Sequence, residues 1–273
     1  MTVSKFRGLK SATLSHSTSR FCLSALPTVH FLLTLFVMVA VRVKQIINPI
    51  GDEWLGERVN PYSDPWYRYA RLLAMLDQQA KVVPGSSWLD AGCHGMELLR
   101  LVYKRYEVKP TGIDQWDAGT QFDSWCRYVQ SDIGREGFGI DEQFDFISAL
   151  EILEHMIDTD KFLDECHAHL NPNGYLLIST PNICSLRNRI TVPLGYYPAG
   201  LEYKNVIHHV RLYNVQTLNA HLAEHGFKLC ALGGLNLLPA RFHSNSMLRK
   251  IGETLAWAVP QLCSDLIAVY QAT

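Results

Sequence analysis

The sequence lacks the paired cysteines of a metal-bound or disulfide-bonded framework. Its seven cysteines are odd in number and widely scattered, and no CxxC pair occurs among them. This spacing argues against a zinc ribbon and against a disulfide scaffold. Most of the cysteines lie in apolar runs, where a reduced cysteine packs as a small hydrophobic residue. The pattern therefore favours a reducing compartment.

Acidic residues are absent from the first 51 positions, which contain six basic ones. The rest of the chain has 19 basic residues against 26 acidic ones, a net charge near -7. A domain this acidic is poorly suited to binding the phosphates of nucleic acid, so nucleic acid is not an expected partner. The overall composition, 48% apolar and 19% charged, is that of a folded globular protein.

Two segments precede the expected globular domain of residues 52–273. Residues 1–20 are basic and acid-free, and residues 21–43 form a hydrophobic segment about as long as a minimal bilayer span. A membrane anchor is the leading interpretation, although Pro27 and His30 interrupt its first third. A monotopic or signal-like helix, a mitochondrial transit peptide and an incorrectly assigned start codon stay open. The expected location is a membrane with the domain facing the cytosol, or the mitochondrion.

From about Trp88 onward, short apolar or β-branched runs alternate with helical periods, which is typical of βαβ units on a parallel sheet. The predicted strands are residues 87–90, 112–114, 128–130, 144–149, 175–180, 227–232 and 266–270. Helices are predicted around residues 66–73, 98–102, 162–170 and 218–222. Asn171 to Gly174 are expected to turn the chain into the fifth strand. The pattern predicts an α/β fold with a seven-stranded sheet flanked by helices.

Asp90 and Gly92 lie at the carboxyl end of the first predicted strand, in the segment WLDAGCHG, just before a helix. An open α/β sheet binds ligands at this position. Glycine lets the backbone approach a nucleoside closely, while a carboxylate and exposed N–H groups satisfy its polar edges. A tight turn without a ligand has the same local pattern, so this loop alone does not decide between the two interpretations.

Two more acids end or follow the next two strands. Asp114 ends the second strand, 22 residues after Gly92, where a carboxylate can accept both ribose hydroxyls of a nucleoside. Asp132 follows the third strand and can accept the exocyclic amine of adenine. A dinucleotide dehydrogenase would share Asp114, but it needs GxGxxG, and here His94 and Glu97 occupy the second and third glycine positions. Each acid alone could be a solvated strand-end residue, whereas three at successive strand ends favour a nucleoside site.

Several segments together resemble the class I S-adenosylmethionine-dependent methyltransferases, in particular the group that includes the ubiquinone-biosynthesis O-methyltransferases. They are LDAGC (89–93), GID (112–114), SD (131–132), ALEILEHM (149–156), NPNGYLLISTPN (171–182) and HHVRLYN (208–214), which leads into EHGF (224–227). The resemblance runs from about Asn60 to the C-terminus. It implies a Rossmann-like seven-stranded sheet whose last strand is antiparallel, and S-adenosylmethionine as the cofactor.

The resemblance also implies a function and cofactor-binding residues. Asp90 and Gly92 would line the methionine part of the cofactor, Asp114 would bind the ribose, and Asp132–Ile133 would contact the adenine. Cys93 would pack beside the cofactor, because in-line methyl transfer needs no covalent nucleophile. The implied reaction is O-methylation of a small or lipid-like acceptor.

His94 and Met96 depart from the family pattern DxGxGxG, in which both positions are glycine. A side chain at either position is expected to narrow the space for the methionine end of the cofactor and for the contact between helix and strand. Gly95 can take over part of this role by a local shift. The alternative function is therefore a degenerate, noncatalytic protein of this fold that acts as a membrane-tethered binding or scaffold module.

Glu151, Glu154 and His155 come after the fourth strand and share one face if the chain is helical there. In the family this segment borders the transferred methyl group. His155 is the candidate general base for an acceptor hydroxyl, and Glu151 and His209 are further candidate catalytic residues. The alternative is that Glu151 and His155 only tie the fourth strand to its neighbours by hydrogen bonds.

The same residues form a candidate divalent-metal site, made of Glu151, Glu154, His155 and either His209 or His208. Two carboxylates and two imidazoles suit a borderline divalent ion, which could bind the acceptor oxygen and lower its pKa. The local sequence also resembles the small-RNA 2′-O-methyltransferases, in which similar Glu-x-x-Glu-His segments with a later histidine bind metal. This prediction requires a helical turn after the fourth strand and a later connection that folds back.

Overall fold

The computed structural model describes residues 65–116, 125–199, 208–238 and 246–273. Its strands are β1 (Ser87–Ala91), β2 (Lys109–Asp114), β3 (Arg127–Gln130), β4 (Phe144–Leu150), β5 (Leu170–Pro181), β6 (Phe227–Leu235) and β7 (Asp265–Ala272). Its α-helices are α1 (Trp66–Gln79), α2 (Glu97–Tyr106), α3 (Thr159–Ala168), α4 (Leu186–Thr191), α5 (Val215–Glu224) and α6 (Ser246–Ala258).

The two N-terminal segments, residues 1–20 and 21–43, lie outside the described residues. Within the described ranges, no helix combines the length and the apolar character that crossing a bilayer requires.

The seven strands form one sheet in the order β3-β2-β1-β4-β5-β7-β6. Strand β7 is antiparallel to β5 and β6, and the remaining neighbouring pairs are parallel. This order confirms the predicted α/β fold with an antiparallel last strand. It also places β1 between β2 and β4, where the strand order reverses direction. The crevice outside the carboxyl ends of these strands is where such sheets bind ligands.

Helices cover both faces of the sheet, which explains why its strands read as nearly continuous apolar runs. Neighbouring residues in a strand face opposite sides, so Trp88 and Leu89 of β1 belong to different cores. Leu89 lies in the core that includes residues of α3 and α5, and Trp88 lies in the core that includes residues of α1 and α2. The two cores hold the central strands rigidly, and with them the residues at their carboxyl ends.

Two parts of the chain differ from the predicted elements. Strand β5 begins at Leu170, so Asn171 to Gly174 lie within the strand instead of forming a turn before it. Asn173 has a φ of 63°, and the register between β4 and β5 shifts at this point, which lets the strand absorb the irregularity. Helices α4 and α6 were not predicted. The six residues of α4 are too few to give a clear 3.6-residue period.

Candidate functional site

The loop after β1 needs glycine at position 92. Gly92 has a φ of 79°, and a Cβ atom there would lie 2.1 Å from Cδ1 of Ile152. A side chain would therefore collide with the residue that leads into the segment after β4, in a backbone conformation that already disfavours it. The loop and the post-β4 segment are thus packed directly against each other.

His94 and Met96 adopt the left-handed backbone conformation that glycine favours, with φ angles of 39° and 59°. The side chain of His94 is exposed, whereas Met96 is 2% exposed and packs in the core with residues of α1 and α2. The loop therefore keeps positive φ angles without the glycines, at the expense of backbone strain. Met96 fills the contact between helix and sheet instead of obstructing it.

Asp114 lies at the end of β2 directly beside this loop. Its Oδ2 accepts a hydrogen bond of 2.8 Å from the backbone N–H of His94, and its Oδ1 accepts one of 3.4 Å from Trp116. The carboxylate is 9% exposed, and the Trp116 side chain next to it is largely exposed. The acid is thereby held in a fixed orientation at the carboxyl edge of the sheet.

Asp90 is buried between β1 and β4, where it pairs in register with Ser148. The Trp88 Nε1–H donates to Ser148 Oγ over 3.0 Å, and the Ser148 hydroxyl donates to Asp90 Oδ1 over 2.6 Å. Burial raises the pKa of Asp90 to about 7, against the lowering effect of the Ser148 hydrogen bond. Asp90 is therefore poised to change its charge near neutral pH.

Asp132, Ile133 and Cys93 complete the predicted cofactor residues. Asp132 comes after β3, and its Oδ1 accepts a 3.1 Å hydrogen bond from the N–H of Gly134. Ile133 is partly buried against the core. Cys93 is 4% exposed, and burial raises the pKa of its thiol, so the side chain stays neutral. If Gly112 had a Cβ atom, that atom would lie 2.7 Å from the Cys93 sulfur. Cys93 is therefore packed closely against the backbone of β2.

Glu151 does not share a helical face with Glu154 and His155. The segment after β4 is a single 3-10 turn over Leu153–His155, and Glu151 precedes it with a φ of 56°. The Glu151 carboxylate forms an ion pair with Arg68 of α1 and accepts a 2.9 Å hydrogen bond from Ser179 Oγ. The conditional prediction of an α-helical turn here is therefore wrong, because the positive φ angle turns the chain before the helical segment begins.

Glu154 is a carboxyl group held almost entirely away from water, with 1% of the residue exposed. Its Oε2 accepts a 3.0 Å hydrogen bond from Thr180 Oγ1, whereas its buried Oε1 has no hydrogen-bond partner. Burial, and secondly the charge of Glu151, raises the pKa of Glu154 to about 8. A buried oxygen without a donor is costly, so a donor or a cation bound beside Oε1 would stabilise this carboxyl group.

The two histidines next to Glu154 are brought together by the connection after residue 208. The backbone N–H groups of Val210 and Arg211 donate to the Glu154 carbonyl over 2.8 and 3.2 Å. The rings of His155 and His209 are 4.8 Å apart between centroids. Each of Glu154, His155 and His209 offers a ligand atom, and these atoms lie within 4.8 Å of one another. Three of the four predicted metal ligands therefore meet, whereas Glu151 is paired with Arg68.

The tautomer of His155 is set by its hydrogen bond. Its Nδ1 lies 2.9 Å from the carbonyl oxygen of His208. A carbonyl oxygen only accepts, so Nδ1 must carry the proton. Nε2 then keeps its lone pair in the neutral ring and can accept a proton or bind a metal ion.

Comparison with known proteins identifies the family. A family model described as a methyltransferase domain matches residues 66–232, more than half of the chain. The chain is an S-adenosylmethionine-dependent methyltransferase. This confirms the resemblance, the enzyme class and the cofactor that the sequence motifs implied. The three strand-end positions and the glycine loop of this methyltransferase also fit the cofactor chemically, since they present carboxylates and backbone groups at one edge of the sheet.

Two relatives and one solved structure are similar to this methyltransferase. A Mycolicibacterium smegmatis protein named as a probable S-adenosylmethionine-dependent methyltransferase is 28% identical over 78% of this chain and 83% of its own length. A ubiquinone biosynthesis O-methyltransferase of Pasteurella multocida is 32% identical over 50% of this chain and 59% of its own length. The fold matches Haemonchus contortus phosphoethanolamine N-methyltransferase 2, solved with S-adenosyl-L-methionine. The TM-score is 0.55 at 15% identity, over 81% of this chain and 55% of that chain.

Four polar residues of the site in this methyltransferase were not predicted from the sequence, namely Arg68, Ser148, Ser179 and Thr180. The three hydroxyls stand near the carboxyl ends of otherwise apolar strands, as in ISAL and LLISTP. A polar residue in a buried strand needs a hydrogen-bond partner, so a serine or threonine near the end of an apolar strand indicates a candidate site residue. Arg68 lies on a helical face that is otherwise buried, and its guanidinium donates to Ser179 Oγ over 2.9 Å.

Proposed function

We propose that this methyltransferase methylates a hydroxyl oxygen on a small or lipid-like acceptor. The observation that carries the proposal is the buried, unpartnered oxygen of Glu154 beside His155 and His209. A hydroxyl must lose its proton during methyl transfer. A histidine of this cluster can accept that proton as a general base, or a metal ion held by the cluster can bind the acceptor oxygen in place of the proton. An amine acceptor loses its proton readily to water and has less need of such a cluster.

The residues of the chain have three tasks in this reaction. S-adenosylmethionine supplies, when bound, a methyl group on a positively charged sulfur. The acids at the ends of β1 and β2 orient the cofactor, and the segment after β4 orients the acceptor. His155, with its proton on Nδ1, accepts the hydroxyl proton at Nε2 in the version of the site without metal.

We further propose that Glu154, His155 and His209 hold a divalent metal ion. One carboxylate oxygen and two imidazole nitrogens are a donor set for zinc, manganese or iron. The Oε1 atom of Glu154 is the buried oxygen that such an ion would satisfy. Such an ion would bind the acceptor oxygen and lower its pKa, so that His155 acts as a ligand and not as a base. Glu151 is left in a positioning role, because it pairs with Arg68.

A lipid-like or quinone-like acceptor is supported by an apolar surface around α4. The side chains of Ile190, Leu194, Tyr196 and Tyr197 are each more than half exposed. Such clustered exposure of large apolar groups is typical of surfaces that bind apolar ligands. The relatives named as ubiquinone biosynthesis O-methyltransferases agree with this class of acceptor.

Membrane association through residues 21–43 is part of the proposal, with the catalytic domain facing the cytosol or with a mitochondrial location. The apolar length of this segment in the sequence supports it. The test is fractionation of cells that express the full chain, followed by a carbonate wash. Retention in the washed membranes supports the anchor, and a wholly soluble full-length chain contradicts it.

The reaction is tested with labelled S-adenosylmethionine and pairs of acceptors that differ only in the accepting atom. We expect methylation of a phenol or catechol with an apolar tail, and none of the matching aniline. His155→Gln and His209→Gln are expected to reduce turnover by about 100-fold or more, as for loss of a general base or ligand. His167→Gln is the matched control, because the His167 ring contacts the C-terminal Thr273 and Phe227, away from the site. Preferred methylation of the amine would contradict the proposal.

A further inference from the structure

A second cluster of histidines and acids lies between α3 and α5. Asp160 and Asp164 stand four residues apart in α3. His221 in α5 and His225 just after its end are also four residues apart. Residues with this spacing lie on one face of a helix, so two acids face two histidines across the contact between the helices.

Three of these side chains converge on one point. The Oδ1 atom of Asp160 lies 2.8 Å from Nε2 of His221 and 3.5 Å from Nε2 of His225. All three atoms lie within 4.8 Å of one another. Two ligands of a tetrahedral zinc ion are about 3.4 Å apart when their bonds are about 2.0 to 2.1 Å long. The observed separations bracket this value, so small side-chain rotations suffice to admit the ion.

The outer nitrogen of each imidazole is already held by a partner. The hydroxyl of Tyr213 lies 3.0 Å from Nδ1 of His221, and Oδ1 of Asp164 lies 2.7 Å from Nδ1 of His225. When Nδ1 carries the proton, each ring donates it outward and directs the lone pair of Nε2 inward. This carboxylate–histidine or hydroxyl–histidine arrangement is how proteins orient imidazoles that bind metal.

We propose that His221, His225 and Asp160 bind a zinc ion, which is separate from the site at Glu154. Two imidazoles and one carboxylate suit a borderline divalent ion, and water would fill the remaining position. Both imidazoles are mostly buried, whereas Asp160 is 74% exposed and leaves a path for the ion. Simple histidine–aspartate hydrogen bonds explain each contact singly. They do not require both Nε2 atoms to meet at the same carboxylate oxygen while both Nδ1 atoms are held outward.

The ion would tie α3 to α5 beside the candidate active site. Asp160 is five residues after His155, and Tyr213 is four residues after His209. Zinc that binds only the folded chain stabilises it by mass action, so the effect depends on the zinc concentration. The inference does not rest on the proposed acceptor or on methyl transfer.

The test uses the full chain with His155→Gln and His209→Gln, so that the other candidate metal site is removed. After treatment with chelator and dialysis, zinc is titrated by calorimetry, and bound zinc is counted by elemental analysis. We expect this double variant, the parent for the further substitutions, to bind one zinc per chain. Adding His221→Gln or His225→Gln is expected to weaken binding by at least about 100-fold, and Tyr213→Phe by about 10-fold. Adding His167→Gln instead, as a control, leaves binding unchanged.

Two further readouts keep the result clear if a variant folds poorly. Cobalt bound to the parent double variant should give the intense visible absorption of a four-coordinate ion with nitrogen ligands. Zinc should also raise the midpoint of thermal unfolding in the parent and not in the His225→Gln variant. No zinc bound to the folded parent would overturn the proposal. Equal zinc affinity in the parent and in the folded His221→Gln and His225→Gln variants would overturn it as well.

Discussion

The backbone N–H of His94 donates a hydrogen bond to the carboxylate of Asp114 across 2.8 Å. His94 stands where the family has its second glycine, yet its φ of 39° still directs the N–H at the acid that ends β2. Met96, at the third glycine position, has a φ of 59° and a buried side chain. The two departures keep the shape of the loop but affect stability differently.

Replacing His94 with glycine is expected to stabilise the fold. The left-handed backbone conformation destabilises a residue with a side chain by about 1 to 2 kcal/mol. Glycine avoids this strain, but it loses about 0.5 to 1 kcal/mol more conformational entropy on folding. The His94 side chain is exposed, so little packing is lost. The net gain should be roughly 0.5 to 1 kcal/mol in urea unfolding. A loss of stability would show that the imidazole makes contacts that matter.

Met96→Gly is the matched comparison and is expected to have the opposite sign. The same relief of strain applies, but removal of a buried side chain from a core costs about 2 to 5 kcal/mol. The net result should be a loss of roughly 1 to 4 kcal/mol. Equal effects of the two substitutions would contradict the assignment of Met96 to the core.

Asp114→Ala is expected to weaken S-adenosylmethionine binding by roughly 1 to 3 kcal/mol, or about 5- to 150-fold in dissociation constant. The substitution removes the charged acceptor proposed for the ribose and also the acceptor of the His94 N–H. Calorimetric titration measures the change. Asp141→Ala, at an exposed acid before β4, is the control and should leave the constant unchanged. An unaltered constant in folded Asp114→Ala protein would exclude the ribose assignment.

The buried carboxyl of Asp90 predicts that stability falls as the pH rises from 5 to 8. Burial raises its pKa from 3.8 to about 7, so in this range the folded state keeps a proton that the unfolded state has lost. That contribution is fully present below about pH 4 and disappears as the pH rises through 7. Asp90→Asn should reduce the difference in the free energy of unfolding between pH 5 and pH 8 by roughly 2 to 3 kcal/mol, as measured by urea unfolding. Glu154, with a pKa raised to about 8, contributes in the same direction and keeps part of the slope.

The control for this prediction is Asp141→Asn, which exchanges an exposed acid for its amide. It should leave the dependence of stability on pH as it is in the unmodified chain. A slope that is the same in Asp90→Asn protein and in the unmodified chain would contradict the raised pKa.

The two glutamates after β4 should separate in a metal-dependence assay. After treatment with chelator, methyl transfer should be lost and then restored by zinc, manganese or iron(II). Glu154→Gln should raise the metal concentration needed by more than about 10-fold, because it removes a ligand. Glu151→Gln should change it less than about 3-fold and instead lower stability by about 1 to 3 kcal/mol, through loss of its charge beside buried Arg68. Full activity in the chelated enzyme would exclude the metal and leave His155 as the base.

Much of the fold could be predicted because its signals are local. The strands from 87 to 149 and the helix at 218–222 are evident from periodicity, and the acids at the strand ends from their position. The geometry after β4 could not be predicted, since Glu151 adopts a positive φ that no neighbouring glycine signals. Its pairing with Arg68 links residues 83 positions apart and depends on how α1 packs on the sheet. Likewise, the backbone bonds from Val210 and Arg211 to Glu154 bring His209 beside the site, and they join parts of the chain that are far apart in the sequence.

We predict that the loop from Asp90 to Met96 binds S-adenosylmethionine without its second and third glycines. Calorimetric titration of the full chain with S-adenosylmethionine tests it directly, with circular dichroism to verify folding. We predict one cofactor per chain, competition by S-adenosylhomocysteine, and a dissociation constant that Asp114→Ala raises by about 5- to 150-fold. A folded chain that gives no heat of binding and no thermal shift at millimolar cofactor would contradict cofactor binding by this loop, and would identify a noncatalytic module instead.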